Sequence, residues 1–504
     1  MSREADLIGK VIKDADGRTY HITSVLNKGG QGIVYKTAED FLIKINTSAD
    51  RDQYRERYRW LSRRGVRLPK ETRIAFPMVV LEEPYVGYVM KEAKGHVSLN
   101  DYVEKPEEIE DLWDWYFNAT GGLTKRLQIG YLLAKSLRYL HINGYAYVDI
   151  SPNNILVSRE RNSLAIIDSD NITSGAYKPL IDGTSLYMAP EIGNKCAVAS
   201  TVTDTYSYAV LLFKMLTTCH PFIGDDAEDA DPEWVQECVD TGKLAYIGDT
   251  DSEENKNSNF ENTKIFLTDE LKELFRRTFV DGKLESSRRP TLMEFMKACT
   301  HARNIVIQCD RTGCDADYYY TGEGCICPMC DKPAKKIYLL VSGNMVTSDR
   351  KILIPPEHGQ DMKSLGTYSD IVDKMAITKG MKYINRKFFD EEISFDSDGA
   401  LAAVGRTGDG KLALLNLSNH KIILNDSTMF NERTVPPYKE GSAKAFIVDE
   451  DKDNAVSVEA YYIFLDKNID ITAENGSIDV AQIERYYGTT SISKFIQIKI
   501  VQED

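Results

Sequence analysis

The chain has 504 residues, is 42% hydrophobic and 28% charged, and carries a formal net charge of -15 with a pI near 5.2. That length is too great for one core and predicts about two to four domains. The acidic balance argues against non-specific nucleic-acid binding, which needs a basic face. No apolar run reaches membrane-spanning length, and the longest, YAVLLFKML, is cut by Lys214. The opening MSREADLIGK is charged and has no apolar signal core. The expected location is therefore cytoplasmic, where the nine cysteines stay reduced and a cluster of them points to metal.

In chain order, residues 1–100 alternate apolar and polar over short runs separated by glycine turns. RTYHITSVL, GIVYKTA, FLIKIN, FPMVVLE and VGYVMKEA read as strands. One charged segment among them, DRDQYRERYRWLSRR, reads as a helix. Helical periodicity dominates LTKRLQIGYLLAKSLRYLHING and DTYSYAVLLFKMLTT, and returns in TDELKELFRRTF and TLMEFMKACTHA. Between these, residues 225–262 are acidic and polar and are expected as a solvated surface insertion. A cysteine-dense patch covers 309–330. Beyond it KKIYLLVSG, KLALLNL, HKIILND, AKAFIVD, VEAYYIFLD and FIQIKIV read as strands, so boundaries are expected near 305 and 335.

The chemistry concentrates in a few motifs. NKGGQGIVYK sets Gly29, Gly30 and Gly32 between two strands, where a backbone without side chains can fold over phosphates; glycine hairpins are common, and this turn alone decides nothing. Lys44 lies inside the apolar strand FLIKIN and needs a counter-charge if buried. Glu56, in the helix that follows, is the expected partner, because Asp52 sits at the helix start. In YVDISPNNIL an isolated carboxylate, Asp149, is followed five residues on by an amide, Asn154. In LAIIDSDN, Asp168 follows an apolar run. One Asp and one Asn near a triphosphate offer hard oxygen ligands for Mg²⁺.

These elements, with Ala189-Pro190-Glu191 in GTSLYMAPE, Asp204 in DTYSYAVLL and Arg289 in SSRRPTL, resemble the motifs of protein kinases in the same order. The resemblance covers residues 18–302 and implies an α+β, two-lobed domain over 1–305, with a strand-rich lobe at about 18–93 and a helical lobe at about 94–302. It implies ATP under the glycine loop, with Val34 and the hinge residues Met90, Glu92 and Ala93 against the nucleotide. Lys44 would hold phosphates, Asp149 would accept the substrate hydroxyl proton, and Asn154 and Asp168 would hold Mg²⁺. Asp204 would brace the catalytic loop and Arg289 would pair with Glu191. A Ser/Thr preference comes from the family. The implied enzyme is a non-specific serine/threonine protein kinase acting on proteins. The alternatives are a pseudokinase scaffold, which binds nucleotide and partners without turnover, and a small-molecule kinase.

The match has departures. Asn27 stands at the first loop glycine, and Leu42 replaces a small residue near adenine. Tyr147 and Val148 replace the usual His and Arg before Asp149, Ser151 replaces a lysine, and Ser169 and Asp170 replace the Phe and Gly after Asp168. Without that arginine a phosphate on Thr173, Ser174, Tyr177, Thr184 or Ser185 has no partner in the catalytic loop. The metal ligands, the base and the phosphate lysine are all kept.

In QCDRTGCDADYYYTGEGCICPMCD, Cys309 and Cys314 form one pair and Cys327 and Cys330 a knuckle. Four thiolates at about 2.3 Å make a closed tetrahedral Zn²⁺ site, and a patch this short needs the metal to fold. A zinc-ribbon-like module is expected over 306–335, with Cys325 either replacing Cys327 or left free. The atypical loops, the cysteine patch and the strand-rich tail together resemble bacterial kinases of tellurite-resistance-type phosphorylation modules. That resemblance implies a von Willebrand A-domain protein and a metal-dependent Ser/Thr phosphatase as partners. It also implies an interaction domain over 336–504, of which a forkhead-associated-like fold is one form. GRTG at 405–408 is similar to a phosphate-binding turn of that fold, but Arg406 is expected as a turn residue.

Overall fold

A computed structural model describes residues 7–30, 32–47, 50–63, 72–174, 183–252, 254–322, 324–344, 351–354, 363–367, 371–385, 400–417, 422–426, 431–435, 446–447, 454–458, 461–466 and 494–503. The chain divides into two compact units: Met1–Leu112 with Ile129–Met296, and Trp113–Gln128 with Lys297–Asp504.

The first unit opens with an antiparallel six-stranded sheet. Its strands are β1 (Val11–Lys13), β2 (Thr19–Gly29), β3 (Gly32–Thr37), β4 (Phe41–Asn46), β6 (Val79–Val80) and β7 (Gly87–Lys91), in the order β1-β2-β3-β4-β7-β6. Side chains alternate between faces. One face carries Ile33, Tyr35, Ile43, Ile45 and Val89 into a core with Ile12, Tyr20 and Ile22. The other therefore carries Val34, Leu42, Lys44, Tyr88 and Met90. The register sets Lys44 opposite Val34 on one side and Tyr88 on the other. At Gly32 a Cβ would lie 2.5 Å from the carbonyl oxygen of Ile45, so the β3–β4 approach itself requires glycine.

Helix α1 (Arg51–Ser62) follows β4. Asp50 caps it by accepting from the Gln53 N–H, and Tyr54, Arg57, Tyr58, Trp60 and Leu61 are its buried residues. A second sheet, β5 (Thr72–Ile74), β10 (Leu164–Ile166), β9 (Ile155–Ser158) and β8 (His96–Ser98), in that order, carries the segments that bear Asn154 and Asp168. Because β9 begins just after Asn154 and β10 ends just before Asp168, their antiparallel pairing brings these residues together. The Ile167 N–H donates to the Asn154 carbonyl at 2.9 Å.

The remaining helices are α2 (Asn100–Val103), α3 (Gly122–Ile142), α4 (Pro190–Gly193), α5 (Thr201–Thr217), α6 (Asp225–Glu228), α7 (Pro232–Asp240), α8 (Ser258–Thr263), α9 (Asp269–Arg276) and α10 (Leu292–Ile305). Helix α5 starts from a capping box in which the Ser200 N–H donates to Thr203 Oγ1 at 2.8 Å, and it is buried along nearly its whole length. Its Phe213 meets Tyr246, Phe260, Phe275 and Phe279 edge-on or tilted. The acidic stretch expected as a solvated loop is instead partly helical. Val235, Cys238 and Val239 recur at helical spacing and are buried, as are Tyr246 and Ile247, while Asp225, Asp226, Glu228, Asp229, Glu233 and Glu237 are exposed.

In the second unit β11 (Val306–Gln308) pairs with β12 (Asp317–Tyr319). The buried Asp317 carboxylate accepts from the Leu123 and Thr124 N–H groups at 2.8 Å. These are unpaired donors of the first turn of α3. At Gly122, with φ +66, a Cβ would lie 2.4 Å from Asp317 Oδ1. Asp317 thereby ties residues 113–128, which belong to the same compact unit, to the cysteine-bearing segment.

The six strand runs expected in the tail form β13 (Lys336–Asn344), β19 (Leu412–Asn416), β20 (Ile422–Asp426), β22 (Phe446–Ile447), β24 (Tyr461–Asp466) and β25 (Lys494–Glu503), and seven strands the sequence reading did not single out accompany them: β14 (Lys351–Ile354), β15 (Lys363–Thr367), β16 (Ile371–Ile377), β17 (Met381–Asn385), β18 (Ala400–Arg406), β21 (Asn431–Val435) and β23 (Asn454–Val458). They build a seven-stranded sheet in the order β16-β13-β25-β24-β23-β20-β21, a four-stranded sheet β17-β18-β19-β22, and the pair β14-β15. Arg406 Nε donates to the Gly410 carbonyl at 3.2 Å across a hairpin turn, the structural role expected for it.

Candidate active site

The loop bearing Asp149 is set by Asp204, whose side chain is fully buried. Its carboxylate accepts from the Tyr147 N–H at 2.7 Å, the Val148 N–H at 2.8 Å and His141 Nε2 at 2.9 Å. These bonds hold Val148 at φ 77, a strained conformation for a β-branched residue. The next residue, Asp149, is buried. Its Oδ2 accepts from Asn154 Nδ2 at 2.8 Å and its Oδ1 from the Thr184 hydroxyl at 2.5 Å. Tyr147, at the position where the resemblance expects histidine, donates its hydroxyl to the Ile167 carbonyl and so ties the Asp149 loop to the segment before Asp168.

Asp168 itself adopts a left-handed conformation, φ 57 and ψ 63, which turns the chain sharply after β10. Lys44 Nζ lies 2.7 Å from Asp168 Oδ1 and 2.8 Å from Asp170 Oδ2. The expected Lys44–Glu56 pair is not the one formed. Glu56 is exposed on α1, while the buried neighbours Arg57 and Tyr58 face the Asp168–Asp170 turn. Arg57 Nε donates to the Asp170 carbonyl at 2.9 Å, and Tyr58 donates its hydroxyl to Asp170 Oδ2 at 3.0 Å. Tyr88 donates to Asp170 Oδ1 at 2.8 Å. Burial alone would push the Lys44 ammonium down, but the charges of Asp170 and Asp168 outweigh it and raise it. Burial, and then the charge of Asp170, raise the Asp168 carboxyl against the pull of Lys44.

A cavity of about 590 Å³ lies above these groups. Gly29, Gly30, Gly32, Val34, Lys44, Met90, Glu92, Ala93, Asn154 and Asp168, the residues named from the sequence for nucleotide and metal, all line it. So does Leu42, the large residue near the expected adenine position. Glu56 and Asp149 are not among its lining. Asp170, Tyr58 and Tyr88 were not anticipated as site residues. The one sequence signal was the second carboxylate two positions after Asp168 in IIDSDN.

Glu191 and Arg289 form the expected bidentate pair, at 2.7 and 2.8 Å. Of the hydroxyls between Asp168 and Glu191, Thr173 is buried and bridged to Ala146 through the backbone, and Ser185 donates to Asp240. Tyr177 lies outside the described residues.

In the second unit Cys309, Cys314, Cys327 and Cys330 bring their sulfurs within 4.8 Å of one another. Two of the separations are 3.8 Å (Cys309–Cys330) and 3.7 Å (Cys314–Cys327). A tetrahedron with about 2.3 Å metal–sulfur bonds has edges of roughly 3.8 Å, so this donor set fits Zn²⁺. Burial pushes the Cys327 thiol up to about 11 and Cys309 higher still, so a cation would have to displace protons. Cys325 is buried outside this group, with its sulfur directed to the Tyr319 carbonyl.

Comparison with known proteins agrees with this geometry. Residues 80–302 match the family model for the protein kinase domain. The chain is 30% identical over 115 residues to the serine/threonine-protein kinase mos of Patiria pectinifera, covering 20% of this chain and 32% of that one. It is 23% identical over 245 residues to a probable serine/threonine-protein kinase of Clostridium perfringens, covering 46% and 33%. With the ribosomal protein S6 kinase alpha-1 of Homo sapiens it shares 37% over 106 residues, 19% and 14% of the two chains. The chain spans a third or less of the length of these relatives. The matched region belongs to the protein kinase-like superfamily, and the strands before residue 80 complete its upper sheet. No helix among the described residues is long and apolar enough to cross a membrane.

Proposed function

We propose that the protein is an ATP- and Mg²⁺-dependent kinase that phosphorylates Ser or Thr hydroxyls of protein substrates, with a structural Zn²⁺ on its four clustered cysteines. The observation that carries this reading is the meeting of Lys44, Asn154 and Asp168 on one cavity wall, with a hydroxyl, Thr184, already seated on Asp149. That contact supports the reading that Asp149 can accept from a substrate hydroxyl. Asp149 would orient the acceptor oxygen and take its proton as the phosphorus–oxygen bond forms. Asn154 commits its amide N–H groups to Asp149, which leaves its carbonyl oxygen, with the Asp168 carboxylate, to hold Mg²⁺. The bound cation would screen the charge of the transferring phosphoryl group. Lys44 would hold the non-reacting phosphates, and Gly29 and Gly30 would let the backbone close over them.

The reading takes the protein as cytoplasmic, with reduced cysteines. A von Willebrand A-domain protein and a metal-dependent phosphatase are its proposed partners. The test is incubation of purified full-length protein with labelled ATP and Mg²⁺, followed by phosphosite mapping. Transfer to protein Ser or Thr that disappears in Asp149→Ala supports the proposal. Nucleotide binding without transfer in wild type would favour the scaffold, and label found only on a small alcohol or amine would favour a small-molecule kinase.

A further inference from the structure

We propose that Asp170 is the residue that positions Lys44, taking over the task that the α1 glutamate performs in protein kinases and that Glu56 cannot perform here. The inference rests on the kinase reading for what Lys44 does, and on geometry alone for what holds it.

Lys44 touches two carboxylates with different surroundings. The Asp168 side chain is 29% exposed and lines the cavity, so it can turn to a cation. The Asp170 side chain has no exposure and is not among the cavity lining. Both its oxygens are engaged, Oδ2 by Lys44 and Tyr58 and Oδ1 by Tyr88. A carboxylate so enclosed has one place to be, and a lysine paired to it has its ammonium placed as well. When Asp168 serves a metal ion, Asp170 remains on Lys44.

The same residue joins three elements. Tyr88 stands beside Lys44 in the sheet register, and Tyr58 comes from α1. Arg57 clamps the backbone on both sides of Asn171 by donating to the Asp170 and Ile172 carbonyls. Helix α1 is thus fastened to the Asp168–Asp170 turn by buried bonds rather than by one exposed ion pair. It cannot swing away without breaking the Tyr58 bond to Asp170 and the Arg57 bonds to the backbone on either side of Asn171. A glycine at position 170, the residue usual in the family, could supply none of these contacts.

The test uses the full-length protein. Asp170→Asn is expected to lower kcat about 100-fold, the usual cost of displacing a positioning group by about 1 Å, with KM for ATP moving less than about fivefold. Glu56→Gln should change kcat less than about twofold. Tyr88→Phe, which keeps the ring and removes one donor to Asp170, should lower kcat about threefold or more, and it decides the matter if Asp170→Asn does not fold. A second measurement needs no turnover. Lys44→Met leaves Asp170 buried without its cation and should lower the melting temperature. Adding Asp170→Asn should then raise it again, whereas adding Glu56→Gln should not. Additive losses in the double variant, or a Glu56→Gln as damaging as Asp170→Asn, would overturn the inference. Absence of phosphotransfer in wild type overturns the kinase reading, while the melting cycle still judges which carboxylate holds Lys44.

Discussion

Replacing Asp204 with alanine isolates how the catalytic loop keeps its shape. The substitution removes one buried carboxylate and leaves the Tyr147 and Val148 N–H groups without their acceptor. A buried donor without a partner costs about 1–3 kcal/mol, so the two cost about 2–6 kcal/mol. Against this, Val148 is no longer forced to φ 77, and relaxation returns about 1–3 kcal/mol. Low ends against low and high against high, the net loss is about 1–3 kcal/mol, a fall of roughly 2–9 °C in the melting temperature of a unit this size. The larger effect is on turnover. Val148 immediately precedes Asp149, so its relaxation displaces the carboxylate proposed as the proton acceptor, and a shift of about 1 Å is worth about 100-fold in kcat. Asp204→Asn retains one acceptor oxygen and should lose about half as much stability. Differential scanning fluorimetry and a peptide phosphorylation assay read the two effects. An Asp204→Ala protein that melts with wild type and turns over within about threefold of it would refute the idea that three bonds to one carboxylate set the loop.

Three further outcomes are expected. The protein should carry about one Zn²⁺ per chain by metal analysis, and Cys327→Ser should release it and open 309–330 to protease, whereas Cys325→Ser should keep it. His220 is buried, with Nε2 directed to the Leu186 carbonyl at 2.8 Å, and burial lowers it from 6.5 to about 3. Its contribution is therefore whole above pH 6.5 and is lost as pH falls from there towards 3, at about 1.4 kcal/mol per unit at most; melting scans from pH 7 to 4 should show a shallower decline for His220→Gln. Replacing Thr173 and Ser174 together with alanine should change turnover less than about tenfold, because the catalytic loop offers Val148 where a phosphate would need arginine; a larger loss in a peptide assay would place a phosphorylation switch in this segment.

The sequence by itself carried the motif order, singled out Lys44, Asp149, Asn154 and Asp168 as candidates, narrowed the metal-ligating cysteines to four with Cys325 as the alternative to Cys327, and showed the strand character of the tail. Each is a local property, carried by residue type, spacing or period. What holds Lys44 was decided elsewhere. Glu56 and Tyr58 lie two residues apart on one helix, and which of them turns inward depends on how α1 rolls against the sheet. That rotation is set by Tyr54, Tyr58, Trp60 and Leu61 finding room together, a condition that no window of sequence contains. The helices within the acidic stretch were hidden for a similar reason, because a few apolar residues among many acids bury a face only when other elements receive it. The joining of residues 113–128 to the cysteine segment depended on one aspartate reaching a helix start nearly two hundred positions away. Spacing encodes chemistry that neighbours perform together; burial and long-range partners come only from packing, because they are properties of the space between elements rather than of the elements themselves.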